Sequence, residues 1–427
     1  MSRIIGVKAR QVLDSRGTPT VEAEVKTLDG VYRAIVPSGA STGVHEAVEL
    51  RDKGKHYFSA GVSKAVNNVN SIIAKAIKGQ NSVSQKKIDE IMIKLDGTPN
   101  KGKLGANAIL AVSMAVCKAG SASKHLPLYD FIGKLYGVDP KVMPVPMCNV
   151  INGGKHAGQE NSIQEHMLIP SGAKSYSEGL MMVVESYHQL KVMLKKKYGA
   201  SGILLGDEGG FAPKQLTKME DRFSLMLKAV KKAGYDGKVD LAIDAAASEF
   251  YAKGKYTLEG KKYDADQLIR HYEKLASKYP LVSLEDGFAE DDWKSWVKLN
   301  SHLGKEVQLV GDDLFVTNTL RIEEGILKGA ANAVLIKVNQ IGTVSETLDA
   351  MKMAHEVGWS SIISHRSGET EDAFIANLAV GTNDGQCKFG APARSERVTK
   401  YNELLYIEED LGEKAVYPGK DFRKIGL

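Results

Sequence analysis

The chain has little of what would place it outside a reducing, aqueous setting. Its three cysteines, Cys117, Cys148 and Cys387, form no CxxC pair and cannot all pair with each other. That argues against a disulfide-built protein and for buried, reduced thiols. No secretion signal is evident, because Ser2-Arg3-Ile4-Ile5-Gly6 runs straight into strand-like sequence. No uncharged apolar run reaches the roughly 18 residues of a membrane span. Leu104 to Cys117 comes nearest and is too short and too rich in Ala, Gly and Asn. Low-complexity tracts and short-period repeats are lacking. Neither sign of charge dominates, with 57 basic against 52 acidic residues and a net charge of +5. The densest basic clusters, Lys195-Lys196-Lys197 and Lys231-Lys232, sit on helix-like segments and read as solvated faces. The expectation is a soluble, cytoplasmic protein with no nucleic-acid or membrane partner.

At 427 residues the chain exceeds one ordinary domain. A barrel of about 250 residues leaves room for a second. Thr20 to Thr27 alternates apolar and charged residues, and Asp29-Gly30 reads as a hairpin turn into Val31 to Val36. Ala60 to Ile77 and Ser84 to Leu95 then carry helical periodicity, and Ala106 to Gly120 reads as a small-residue helix. Strands followed by helices without alternation predict an α+β domain over residues 1–136. The turn-rich stretch from Gly137 to Pro146 marks the boundary, and residues 137–427 read as a barrel.

Five apolar runs of strand length carry the functional signal. Val239 to Ile243 stops at Asp244, Leu281 to Leu284 at Glu285, and Val307 to Gly311 at Asp312. Ala333 to Ile336 stops at Lys337, and Ser360 to Ser364 at His365. Amphipathic stretches separate most of them, the pattern of repeated βα units. In a (β/α)8-like barrel the carboxyl ends of the strands share one face, where the active site is built. One acid at a strand end is often a helix cap. Three in series are harder to explain so, and they would repel unless a hard cation neutralised them. With no His or Cys in the set, magnesium suits it better than zinc. Lys337 either serves as a base, for which burial and nearby positive charge must favour the neutral amine, or simply pairs with Asp312 or Glu285. Lys388 is a second lysine able to supply such charge.

Five loops bear on this. Gly97 to Lys103 approaches a phosphate-loop pattern but is followed by Leu104 and preceded by no strand, so it carries no nucleotide site. Ser38-Gly39-Ala40-Ser41-Thr42-Gly43 is either a plain turn or a lid bringing hydroxyls to an anion. His156 lies between glycines in Asn152 to Gly158, with Gln164-Glu165 following. Glu208 stands in Gly206-Asp207-Glu208-Gly209-Gly210 as a turn residue or a free acid or base. In Ser364 to Asp372, Arg366 offers a planar fork for phosphate and Ser367 a further donor, ahead of a helix start.

Together with Asp14 to Glu22, Lys337 to Thr343 and Gly390 to Arg397, these segments resemble the enolase family from the first strand to near the C-terminus. The resemblance implies an α+β N-terminal domain and a barrel of irregular opening order. It implies dehydration of 2-phosphoglycerate, a phosphorylated small molecule, by a cytoplasmic homodimer using two Mg²⁺ per site. Asp244, Glu285 and Asp312 would hold the first ion and Ser41 would join the second. Lys337 would take the C2 proton, and Glu208 helped by Glu165 would protonate the departing hydroxyl. Arg366 and Ser367 would hold the phosphate, Lys388 would stabilise added charge, and His156 and His365 would line the site. Three positions depart from the family pattern: Gly287 in place of proline, Phe389 in place of a small polar residue, and Tyr406 in place of an arginine that pairs across the dimer with the acid matching Glu22. Two other readings compete: a racemase or sugar-acid dehydratase of the same superfamily, and a catalytically silent surface-binding protein on this scaffold.

Overall fold

The computed structural model describes residues 2–39, 43–159 and 161–424. Ser41 and the side chain of His156, both expected in the site, lie outside the described part.

Near the N-terminus β1 (Gly6–Leu13), β2 (Pro19–Lys26) and β3 (Val31–Ile35) form an antiparallel sheet in sequence order. The period-two pattern decides its faces: Val21, Ala23 and Val25 are fully buried. They pack on the helix Ala106–Ser123, whose small side chains let the sheet approach closely. This helix alone among the described residues is long and apolar enough to cross a membrane. It contains Lys118, and 83% of it is buried, so it is the core of this layer. The helix expected from Ala60 begins at Ser63, where the Asp52 carboxylate accepts from Ser63 N and Lys64 N at 2.8 and 3.0 Å. That cap supplies partners for amides with none inside the helix. Helical structure then runs to Ile77 through a widened turn at Val69–Ile73. The buried residues Ala65, Val69, Ile73 and Ile77 fall on one stripe.

The larger sheet is the barrel. Its strands are β4 (Cys148–Asn152), β5 (Glu165–Ile169), β6 (Asp240–Asp244), β7 (Leu281–Glu285), β8 (Gln308–Gly311), β9 (Ala333–Ile336), β10 (Ser360–Ser364) and β11 (Gln386–Lys388), each pairing with the next. β11 also pairs with Val145–Pro146, the short run just before β4. Both ends of the sheet are therefore the same stretch of chain, and the sheet closes. All neighbours are parallel except β5, which runs opposite to β4 and β6. Two helices, Tyr176–Tyr198 and Met219–Lys232, separate β5 from β6, whereas only one helix of eight or more residues lies between each later pair of neighbouring strands. This is the irregular opening order expected from the sequence.

Side chains two apart share a face, so Met167, Ala242, Val310 and Leu335 fill the interior below Glu165, Asp244, Asp312 and Lys337. Below them Gln308 Nε2 donates to Ser283 Oγ at 3.1 Å and Gln386 Oε1 at 2.9 Å, a fully buried polar layer. The rim residues thus stand on a packed column rather than an open pore.

Arg222, fully buried on Met219–Lys232, anchors the loop that carries His156. It donates to Leu216 O at 2.9 Å, Ser162 Oγ at 2.9 Å, Ile163 O at 3.2 Å and Gln159 Oε1. Burial lowers its pKa to about 10, so it stays charged at neutral pH. Arg222→Met keeps the stem but strands buried carbonyls, at about 1–3 kcal/mol per unsatisfied group. Its urea midpoint should fall, and amide exchange over residues 154–163 should accelerate. An unchanged midpoint would remove the anchor role.

Candidate active site

The rim of the barrel gathers the residues expected from the sequence. Asp244, Glu285 and Lys388 close their strands, and Asp312, Lys337 and His365 follow theirs within a residue. Glu165 arrives by the opposite route. β5 is reversed, so its first residue pairs with Asp244, the last residue of β6. Glu208 comes from a loop beside Asn149 on β4, held where Gly206 N donates to Gly210 O. One cavity is lined by Glu165, Glu208, Asp244, Asp312, Lys337, Lys388 and residues 365–367. Glu285 lies behind it, against Lys388.

Charge organises this cavity. Lys388 Nζ stands 2.8 Å from both Glu285 oxygens, 3.2 Å from Glu165 Oε2 and 3.4 Å from Asp244 Oδ2. The Lys388 charge opposes the upward shift that burial gives Glu165. Lys337 Nζ donates to Asp312 Oδ2. Burial pushes Glu165 and Glu285 well above the usual carboxylate range, with Glu208 and Asp244 respectively adding to it. Burial would also raise Asp312, but Lys337 outweighs it and the carboxyl stays low. Burial would depress Lys337, and Asp312 overrides it, so the amine is held above its ordinary range as ammonium. Of the two readings for Lys337, this geometry has it paired. Among the described residues, the two lysines pair directly with these acids, and Arg366 adds positive charge on the Asp312 side.

That pairing tests the fit of a metal ion. Glu165, Asp244, Glu285 and Asp312 are four carboxyl groups against the two lysines paired with them, Lys337 and Lys388. The donors are all carboxylate oxygens, which suit a hard divalent cation. The residues fit. A tighter group, with one oxygen each from Asp286, Asp312 and Asp313 within 4.8 Å of one another, is a weaker holder. Asp286 already accepts from Asp312 N and Asp313 N, both at 2.9 Å.

Opposite the lysines, Asn149 Nδ2 donates to Glu208 Oε2 at 2.8 Å. His365 is buried and kept neutral, first by burial and then by Arg397. Arg397 Nη1 lies 2.6 Å from His365 Nδ1. Arginine only donates, so Nδ1 accepts and the ring proton sits on Nε2. That nitrogen faces Glu208 Oε1 at 3.7 Å, beyond hydrogen-bond reach. The same guanidinium holds Arg366 O, Ser367 O and Asp207 O, joining both loops. Gly390 (φ +84°) lets this happen, because a Cβ there would stand 2.7 Å from Glu208 O and 2.9 Å from His365 Cε1.

Of the departures, Gly287 is packed rather than loose. Its carbonyl accepts from Tyr272 Oη at 3.1 Å, and a Cβ would meet Leu299 Cδ2 at 3.1 Å. Phe389 is buried against Tyr401, and Tyr406 is exposed. The sequence reading missed Glu46, Asn149, Gln340 and Arg397. Nothing in their local pattern marks them, because each acts on residues far away in the chain. Asp286 and Asp313 were visible only as second members of acidic doublets.

Comparison with known proteins covers nearly the whole chain. The family described as "Enolase, N-terminal domain" matches residues 4–132, and "Enolase, C-terminal TIM barrel domain" matches residues 140–425. The chain is 58% identical to an enolase of Elusimicrobium minutum over 420 residues, spanning 98% of each. It is 55% identical to one of Thermococcus gammatolerans over 424 residues, again 98% of each. It is 53% identical to one of Solanum lycopersicum over 440 residues, 99% of each. With rim, order and relatives in agreement, the chain belongs to the enolase family.

Proposed function

We propose that this chain interconverts 2-phosphoglycerate and phosphoenolpyruvate with Lys337 as base and Glu208 as acid. The observation that carries the reading is a single cavity holding Lys337, Glu208, Lys388, Arg366 and the acid cluster together. Arg366 and Ser367 bind the phosphate, and Lys388 receives charge that develops on the substrate carboxylate. Lys337 takes the C2 proton, and the C–H electron pair moves into the carboxylate. Glu208 then gives a proton to the C3 hydroxyl, which leaves as water as the C2–C3 double bond forms. Glu165, whose pKa burial raises, stands beside Lys388 and supports Glu208. His365, neutral beside Arg397, closes the wall next to Glu208.

A divalent metal is implied by the family, and we assign Mg²⁺, two per site. Asp244, Glu285 and Asp312 would hold one ion and Ser41 would join the other. Bound there, the ions would supply the positive charge that makes a proton next to a carboxylate removable. Lys337 must then part from Asp312 to reach its neutral, proton-accepting form. The reading also takes in a homodimer in the cytoplasm and a domain division at 136/137; the latter is supported by family matches ending at 132 and beginning at 140.

Two predictions follow from these roles. Lys337→Ala should lose both turnover and exchange of the C2 proton with solvent, by about 10²–10⁴-fold. Glu208→Gln should lose turnover by a similar factor while keeping C2 exchange, read by NMR in D₂O. Near-wild-type exchange in Lys337→Ala would reject the base. The second concerns pH. Burial and the Asp312 charge raise Asp313, next to the assigned ligand Asp312, to about 8, and burial raises Glu285 in the same direction, so both favour the protonated form that a nearby cation would oppose. A cation must displace those protons, so Mg²⁺ affinity of chelator-treated protein should rise from pH 6 to pH 8 with proton release. Calorimetry in two buffers of different ionisation enthalpy reads the release, and its absence would count against this cluster as the site.

A further inference from the structure

Arg366 is fixed from outside the barrel strands. Its Nη1 and Nη2 donate to Glu46 Oε2 at 2.9 Å and Oε1 at 3.1 Å, and Nη1 also donates to Asn339 Oδ1 at 3.0 Å. Both members of the pair are nearly sealed, their side chains 4% and 7% exposed. Glu46 Oε1 also accepts from Gly43 N at 3.0 Å and Gln340 Nε2 at 3.3 Å. Gln340 Nε2 donates in turn to Asp312 Oδ1 at 2.9 Å. Its Oε1 accepts from Thr317 Oγ1 at 2.9 Å, and that hydroxyl accepts from Lys337 N at 2.9 Å. One continuous network therefore runs from the arginine to the acid cluster and to the backbone of Lys337.

We propose that Glu46 is a positioning residue for phosphate recognition: it sets the plane of the Arg366 guanidinium and ties it to the metal-side acids through Gln340. This rests on the reading of Arg366 as the phosphate-binding side chain. A carboxylate on an anion-binding arginine has two conceivable effects, competition with the incoming phosphate or orientation of the fork that receives it. Competition requires Glu46 to leave. It has four donors in a buried setting, and removing it from Arg366 would strand a charge without a partner, which is strongly destabilising. Orientation requires only that the pair persist. An arginine already locked in its plane loses little further freedom when an anion arrives, so affinity gains from preorganisation. The link through Gln340 also fixes the span between phosphate and carboxylate ends, which suits a substrate bearing both groups.

The two roles differ in sign, so inorganic phosphate as a competitive inhibitor of the Mg²⁺-loaded enzyme separates them. Glu46→Gln should raise the phosphate inhibition constant and the KM for 2-phosphoglycerate about tenfold each, the scale of one charged hydrogen bond, with kcat changed less than about threefold. An inhibition constant that stays the same or falls overturns the proposal. So does a loss confined to kcat. Should Glu46→Gln lack native circular dichroism, Glu46→Asp keeps the charge but loses the reach, and the same rise is expected of it. Arg366→Lys serves as the separate control. If it leaves phosphate inhibition unchanged, the phosphate assignment of Arg366 itself fails; if it weakens inhibition while the Glu46 variants do not, only the role of Glu46 fails.

Discussion

Mutual repulsion among Glu165, Asp244, Glu285 and Asp312, all nearly buried at one end of a barrel, is the constraint that the rest of the rim answers. Burial makes ionised carboxylates costly, and crowding makes each neighbour costlier still. Two lysines meet part of this charge, one from the strand after Ile336 and one from the last strand. Their positions beside the acids explain why both are held as ammonium. The same acids that raise Lys337 would attract a divalent cation, and a cation would release that lysine. On the proposed roles, loading the metal and readying the base would then be one electrostatic event.

The reversal of β5 follows from the same need. A parallel strand presents its last residue at the rim, whereas a reversed strand presents its first. Running β5 backwards brings in Glu165 at its first residue, paired with Asp244 and beside Asn152. The two helices before β6 return the chain to the parallel course. The N-terminal segment supplies what the barrel lacks. Ser38 and Gly368 exchange backbone hydrogen bonds at 2.8 and 2.9 Å, and Glu46 reaches Arg366, so the Arg366 side of the rim is finished by residues over three hundred positions away.

The architecture was legible wherever chemistry was written locally. Asp244, Glu285, Asp312 and Lys337 each end an apolar run, and strand ends of a barrel converge whatever the loops do. Glu165 was less legible, since it begins a run, and only family resemblance gave it a role. Glu208 and Arg366 stood out through flanking glycines and serines. Glu46, Gln340, Asn149 and Arg397 did not, because what they do is hold another side chain, and such pairing leaves no periodic trace. The choice between the two readings of Lys337 was open in the sequence for a related reason. Composition showed the cations that would depress it, whereas distance decides, and Asp312 is nearest.

Backbone strain sits where these constraints meet. Among non-glycine residues with positive φ, Ala246 follows Asp244 by two positions, Asp286 adjoins Glu285, and Val316 and Thr317 lie shortly beyond Asp312. For β-branched Val316 and Thr317 this conformation is unfavourable, of order 1–3 kcal/mol each. The neighbouring hydrogen bonds hold it in place. Asp244 Oδ1 accepts from Ala246 N at 2.9 Å, Asp286 grips the next strand end, and Thr317 Oγ1 bridges Lys337 N and Gln340. A relaxed turn after Asp312 would point Thr317 elsewhere and uncouple Lys337 from Gln340. The strain and the network are therefore one device: turns kept in a costly shape by the side chains whose aim they set.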